Sequence, residues 1–238
     1  MHNPDALARE LATLQAALKR DVAQWLATGG DAGRIVDGAR RQQLLYRTLR
    51  REPDLARRVL DKIDPDLRRA VSAHVDASRK LRGLVTPVES PAELRVAEPA
   101  PPRALRSFYE EAESSYGVPW HVLAAINFAE SRFGRVLGPS AAGALGPMQF
   151  LPATWETYGE GGDIMDPRDA ILAAAHYLKS LGADEDVRSA LFSYNRSEAY
   201  VDAVLTYASE MEADETAFYV YYFWRVFVAT TGGDVSVA

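Results

Sequence analysis

Residues 119–152 read PWHVLAAINFAESRFGRVLGPSAAGALGPMQFLP, a helix-like segment followed by a glycine-rich one. Pro119 suits the first turn of a helix, and Gly134 suits the position just after a helix ends. Between them, apolar residues recur at intervals of three and four, which is typical of a helix with one buried face. The pattern therefore predicts a helix over 119–133.

A carboxylate lies on the apolar face of this predicted helix. At about 100° per residue, Glu130 falls beside Leu123 and Ile126. In one interpretation, Glu130 is buried and paired with Arg132 or Arg135. In the other, burial raises its pKa, so that it holds a proton near neutral pH and serves as a general acid. Both interpretations are compatible with this position.

The segment after the helix contains four closely spaced glycines: Gly134, Gly138, Gly143 and Gly146. Glycine permits positive φ angles and close approach of the backbone to a ligand. Gln149 follows among apolar neighbours, where its amide needs hydrogen-bond partners. A ligand rich in hydroxyl and acetamido groups would supply them, and so would the backbone of an ordinary loop.

The composition excludes several classes of protein. The chain has 238 residues and no cysteine, which excludes disulfides, cysteine-ligated zinc and a thiol nucleophile. Its 47% hydrophobic and 25% charged residues are typical of a globular protein. No run of residues reaches the length of a membrane-spanning helix, and the N-terminus lacks the pattern of a secretory signal.

Charge and proline divide the chain into three parts. Residues 1–85 carry 17 basic and 11 acidic side chains, whereas residues 86–238 carry 10 and 22. Between the helical patterns, residues 86–103 contain five prolines and little periodicity, which predicts a linker or a strap along the surface. We therefore expect an N-terminal helical domain over 1–85, a proline-rich linker over 86–103 and a second domain over 104–238.

Helical patterns dominate both predicted domains, so we expect a mostly α fold. In the N-terminal part, a small helical bundle is predicted, with helices over 4–26, 32–51, 53–62 and 65–82. In the second domain, helices are predicted over 104–116, 119–133, 152–158, 167–182, 186–194, 197–210 and 214–230. The last of these includes an aromatic run, Phe218–Phe227, whose length favours a helix over a strand.

Four motifs together resemble one family. The strings AESRFGRV, SAAGALGPMQFLPATW, DPRDAILAAAHYL and ALFSYN are similar, in this order, to the catalytic domain of the lytic murein transglycosylases, and most similar to the B branch. The resemblance covers about residues 104–210. It implies a lysozyme-like fold of the goose-type and transglycosylase class, with a sugar-binding cleft between two lobes.

The resemblance also implies roles for individual residues. Glu130 corresponds to the single carboxylate that acts first as an acid and then as a base. Ser140 and Gln149 match residues that contact the substrate. The Tyr-Asn pair of the last motif matches Tyr194 and Asn195, which we expect to hold the sugar acetamido group or the intermediate.

The implied reaction cleaves the β-1,4 bond between N-acetylmuramic acid and N-acetylglucosamine and leaves a 1,6-anhydro-muramyl end. Two alternatives stay open. One is a hydrolytic muramidase, a lysozyme, in which Asp163 would be a second carboxylate. The other is a murein-binding scaffold module without catalytic activity.

We expect neither a cofactor nor a metal ion. Residues 158–167 are too short for the calcium loop of the B branch and lack its order of ligands; Asp163 and Asp166 are instead expected to cap the next helix. The expected partners are peptidoglycan glycan strands and not nucleic acid, because the arginine pairs lack interleaved aromatic residues. Such a substrate implies action in the cell envelope or outside the cell, and we expect that a signal or anchor was trimmed from this chain.

Overall fold

A computed structural model describes residues 2–90 and 94–237. Within these ranges the chain is mostly helical, which confirms the predicted fold class. The helices are α1 (Pro4–Thr28), α2 (Gly33–Arg51), α3 (Pro53–Leu60), α4 (Pro65–Leu84), α5 (Pro102–Tyr116), α6 (Trp120–Ser131), α7 (Pro152–Tyr158), α8 (Pro167–Ser180), α9 (Val187–Tyr194), α10 (Glu198–Ala213) and α11 (Thr216–Tyr222). None of these helices is both long enough and apolar enough to cross a membrane.

The four helices predicted in the N-terminal part are present with ends close to those expected. The side chain of Asn3 caps α1 by accepting from the backbone amides of Asp5 and Ala6. The helix ends at Gly29, which has a φ of 71°. A residue with a side chain would be strained at this angle. One stripe of α1 is buried, at Ala8, Leu11, Leu18 and Val22.

By its contacts the chain forms two compact units. The first comprises the residues up to Leu84 together with Glu210–Trp224, so that α11 packs within it against α1 and α2. The ring of Trp25 in α1 meets that of Tyr219 at 5.7 Å between centroids. That residues 86–103 link two independently folding domains stays a prediction.

The second unit comprises Val85–Ser209 and the residues from Arg225 onward. The proline-rich segment pairs with other parts of this unit at two places. Its strand β1 (Arg95–Val96) pairs in antiparallel fashion with β2 (Val136–Leu137), the strand that follows α6. Earlier in the segment, the amide of Val88 donates to the carbonyl oxygen of Ala229 at 2.9 Å.

The helix predicted over 214–230 is wrong in its second half. It ends at Tyr222, and β3 (Phe227–Thr230) then pairs with β4 (Gly233–Ser236) as an antiparallel hairpin. The reason is local, because Gly233 has a φ of 121° and the hydroxyl of Thr230 donates to its carbonyl oxygen at 2.6 Å, which closes a tight turn.

Candidate active site

Glu130 lies near the end of α6, a helix of the second unit whose residues are mostly buried. Leu123 and Ile126 on the same helix are fully buried, and Glu130 itself is partly buried, as the periodicity predicts. The hydroxyl of Tyr200 in α10 donates a hydrogen bond to Oε1 of Glu130 at 2.6 Å. A phenol therefore contacts the carboxyl group directly.

The surroundings of Glu130 favour its protonated form. Burial raises the pKa of its carboxyl group from 4.5 to about 7, and the hydrogen bond from Tyr200 opposes part of this rise. Neither of the two candidate arginines pairs with it: the guanidinium of Arg132 lies over the ring of Phe128 at 4.2 Å, and that of Arg135 contacts Glu98 at 3.3 Å. Within the described residues Glu130 forms no ion pair, so no neighbouring positive charge offsets the effect of burial on its pKa.

A buried hydrogen-bond network joins α6 to the glycine-rich loop. The hydroxyl of Ser131 donates to the carbonyl oxygen of Pro147 at 2.6 Å, and the side-chain amide of Asn127 donates to the same oxygen at 2.8 Å. The hydroxyl of Tyr109 in turn donates to the side-chain oxygen of Asn127 at 2.6 Å. Since these groups are buried, the loop is held firmly beside the helix that carries Glu130.

The backbone around this network adopts unusual conformations. Arg132 and Phe133 have φ angles of 56° and 64°, so α6 ends at Ser131, two residues before the predicted end. Gln149 has a φ of 50°, which is uncommon for a residue with a side chain. Gly146 cannot be replaced without a shift, because a Cβ there would lie 1.9 Å from the carbonyl oxygen of Ile164. Strain of this kind is concentrated at functional sites in proteins.

The side chains of Tyr194, at the end of α9, and of Gln149 both bond to the same short segment of the loop. The hydroxyl of Tyr194 donates to the carbonyl oxygen of Met148 at 2.6 Å. The side-chain amide of Gln149 donates to the carbonyl oxygen of Gly146 at 3.0 Å. Burial raises the pKa of Tyr194, and the nearby charge of Glu130 raises it further. Tyr194 and Gln149 are thus brought together at residues 146–149, and Glu130 lies near enough to Tyr194 for its charge to act on that phenol.

Asn195 and Ser140 are placed differently from each other. Asn195 follows Tyr194 directly as the C-cap of α9, and its side-chain amide forms no hydrogen bond with the described residues. It is therefore available to a ligand. The Ser140 hydroxyl accepts from the amides of Ala142 and Ala144 at 3.2 and 3.0 Å, so it shapes an exposed loop; in the described ranges it makes no hydrogen bond to the other predicted site residues.

Tyr200 is a site residue that the sequence did not identify. Its spacing from Tyr207 places both on one face of a helix, which is compatible with a cleft or with packing. Both side chains are buried, and the ring of Tyr207 packs against Phe128. What distinguishes Tyr200 from Tyr207 is its contact with Glu130, which lies 70 residues away in the chain.

Residues 158–167 form a loop that leads into α8. The side chain of Asp166 caps α8 as predicted, accepting from the amides of Arg168 and Asp169. The prediction that Asp163 also caps the helix is wrong, because its carboxylate accepts from the amide of Met165 at 2.8 Å within the loop. The described residues contain no group of three or more histidine, aspartate and glutamate side chains arranged to hold a metal ion.

Comparison with known proteins gives a family for part of the chain. Residues 107–216 match the model of the transglycosylase SLT domain, so the mostly helical chain carries this lysozyme-like domain in its C-terminal half. Over 106 residues the chain is 31% identical to the membrane-bound lytic murein transglycosylase F of Thiobacillus denitrificans; the match covers 41% of this chain and 22% of that protein. The chain thus spans about a fifth of the length of this relative. No solved structure matches the chain.

Proposed function

We propose that this chain, which carries a transglycosylase SLT domain, is a lytic transglycosylase that cleaves peptidoglycan strands. The observation that carries the proposal is the carboxyl group of Glu130, whose pKa of about 7 results from burial and is moderated by Tyr200. A group with this pKa is suited to donate a proton near neutral pH and to accept one in a later step.

Glu130 performs both proton transfers in the proposed reaction. Its protonated carboxyl group donates to the glycosidic oxygen as the bond between that oxygen and C1 of the muramyl sugar breaks. The sugar's own acetamido group stabilises the positive charge at C1. The Glu130 carboxylate then removes the proton from the O6 hydroxyl, which attacks C1 and closes the 1,6-anhydro ring. Water is not consumed, and a second carboxylate is not required.

The other site residues position the sugar in this proposal. Asn195 has an unoccupied side-chain amide beside Tyr194, and we assign it to the acetamido group. Gln149 and Ser140 orient the sugar ring from the glycine-rich loop. Tyr200 holds the carboxyl group of Glu130 in a fixed orientation through both proton transfers.

The branch and location of the enzyme are also proposals. The motifs resemble the B branch most closely, whereas the relative identified by comparison carries the name of type F. Because the proposed substrate is the cell wall, we expect the protein to act in the cell envelope or outside the cell.

Digestion of purified peptidoglycan, followed by mass spectrometry of the released muropeptides, tests the proposal. The expected products end in anhydro-muramyl groups, one water lighter than hydrolysed ends. Glu130→Gln is expected to lower turnover by a factor of about 10² to 10⁴. Glu156→Gln, which changes an exposed carboxylate on α7, is the matched control and should retain turnover.

Each alternative gives a different result in the same experiment. Products that carry the additional water would identify a hydrolytic muramidase. Binding to the cell wall without cleavage would identify a scaffold module. Full turnover by the Glu130→Gln variant would show that another group is the acid.

A further inference from the structure

An exposed arginine lies next to two of the candidate site residues in the chain. Arg196 follows Asn195 directly and precedes α10, which begins at Glu198. Two residues before it, Tyr194 is anchored to Met148, and four residues after it, Tyr200 contacts Glu130. The backbone that carries Arg196 is therefore fixed at both ends by groups of the site.

The turn that presents Arg196 is itself ordered by hydrogen bonds. The amide of Ser197 donates to the carbonyl oxygen of Asn195 at 2.7 Å. The hydroxyl of Ser197 accepts from the amide of Tyr200 at 3.3 Å. This arrangement limits the positions that the Arg196 guanidinium can reach.

Aromatic rings connect the reaction centre to this arginine. The ring of Tyr177 lies 5.6 Å from that of Tyr194 and 4.7 Å from that of Tyr158. Burial and the neighbouring Tyr158 raise the pKa of Tyr177, and the positive charge of Arg196 opposes this rise. The guanidinium of Arg196 therefore acts on Tyr177, the ring that packs directly against Tyr194.

The acidic residues of α10 that follow Arg196 most closely in the chain do not neutralise its charge. Glu198 and Asp202 are both bound by Arg188, at 2.6 and 2.7 Å. In the described part of the chain, Arg196 forms no ion pair. An exposed guanidinium held beside a binding site in this state is suited to a carboxylate on the ligand.

We propose that Arg196 binds a carboxylate carried by the muramyl sugar of the glycan strand. This inference rests on the proposed function, because it concerns the same site and the same polymer. Two sources supply such a group: the free lactyl carboxylate of a muramyl sugar without a peptide, and a carboxylate of the attached peptide stem. Arg196 thus selects strands by their negative charge, next to the residues that act on the glycosidic bond.

The test measures binding separately from cleavage. The full chain with Glu130→Gln, which slows turnover, is titrated with soluble glycan strands that either retain their peptide stems or have been stripped to free lactyl groups. Each strand is also used after its carboxylates have been converted to methylamides. The affinities are compared for this chain, for the same chain with Arg196→Gln and for the same chain with Arg58→Gln. Arg58 is an exposed arginine on α3 in the first compact unit, so the last variant controls for the change in net charge.

We expect Arg196→Gln to weaken binding of a carboxylate-bearing strand about fivefold and to leave binding of the methylamide form unchanged. Arg58→Gln should change neither affinity. Loss of affinity for the stripped strands assigns the lactyl carboxylate, whereas loss confined to strands with stems assigns the peptide.

The inference is overturned if Arg196→Gln binds all strands as the parent chain does, or if it weakens both carboxylate and methylamide forms equally. It is also overturned if the parent chain binds no strand. Failure of the proposed function has a different signature, because the chain with Glu130 intact would then bind strands without releasing anhydro-muramyl products.

Discussion

The carboxyl group of Glu130 affects stability as well as chemistry. Its pKa is about 7 in the folded chain against an ordinary value of 4.5, so the folded state binds this proton more tightly than the unfolded state does. The stabilisation is present below pH 4.5 and is lost as the pH rises through 7. The difference corresponds to about 3 kcal/mol of unfolding free energy.

We therefore expect Glu130→Gln, which is neutral at every pH, to be more stable than the wild type at pH 8 by about 3 kcal/mol, with little difference at pH 4.5. Urea unfolding at the two pH values measures this. Glu156→Gln, at an exposed position, should show no such dependence. An equal gain at both pH values would mean that the effect does not come from the ionisation of Glu130.

Tyr200 lowers the pKa of Glu130 through its hydrogen bond, so its removal should raise that pKa further. For Tyr200→Phe we expect the falling limb of kcat/KM against pH to move to higher pH. We also expect kcat to fall, since the carboxyl group loses its orientation. Tyr207→Phe removes a hydroxyl from the same helix, next to Phe128, and should leave the limb in place. A Tyr200→Phe profile identical to that of the wild type would contradict this account.

At the scale of elements, the link between α6 and the glycine-rich loop depends on Ser131. Its hydroxyl donates to the carbonyl oxygen of Pro147 and accepts from the amide of Gly134, at 2.6 and 2.7 Å. Ser131→Ala removes the side-chain partner of the part-buried Gly134 amide and one of the two hydrogen bonds to the buried carbonyl oxygen of Pro147, which still accepts from Asn127. We expect this loss to cost about 2 kcal/mol. Denaturant unfolding should show this loss. Kinetics should show a fall in kcat/KM, because Gln149 loses part of its support.

Ser115→Ala is the matched control for this variant. Its hydroxyl also bonds to a backbone carbonyl oxygen, that of Glu111 at 2.8 Å, but on the exposed face of α5. We expect a change of less than about 0.5 kcal/mol. A similar loss of unfolding free energy in both variants would mean that burial does not make the hydrogen bonds of Ser131 more stabilising than the exposed bond of Ser115.

The same elements explain what the sequence could predict. Periodicity identifies the apolar face of α6 and the position of Glu130 on it. It can do so because Leu123 and Ile126, which lie beside Glu130 on this face, are within seven residues of it in the sequence. The contact from Tyr200 depends instead on packing between helices 70 residues apart. The hairpin after Tyr222 was missed because an aromatic and β-branched run fits a helix or a strand, and the turn at Gly233 lies beyond the run.

At the scale of the whole molecule, the first compact unit is built from segments that are distant in the chain. Residues 210–224 supply Tyr219, Tyr221 and Trp224, with exposed fractions of 4, 5 and 7%. Nδ1 of His74 in α4 lies 2.9 Å from the hydroxyl of Tyr221. A boundary drawn from composition follows the order of the chain, and it therefore assigned these aromatic residues to the second domain.

The contribution of these aromatic residues can be measured on fragments. Loss of a buried aromatic side chain typically costs about 3 to 5 kcal/mol, and a whole domain is stabilised by only about 5 to 15 kcal/mol. We expect residues 1–85 alone to unfold without a cooperative transition in urea, as followed by far-UV circular dichroism. Joining residues 210–224 to this fragment through a flexible glycine-serine linker should restore a sigmoidal transition.

The same joined fragment with Tyr219, Tyr221 and Trp224 changed to serine controls for the added length and should behave as 1–85 does. If 1–85 alone unfolded sharply and at the same midpoint as the joined fragment, the proline-rich segment 86–103 would separate two independent domains, and α11 would contribute little to the first.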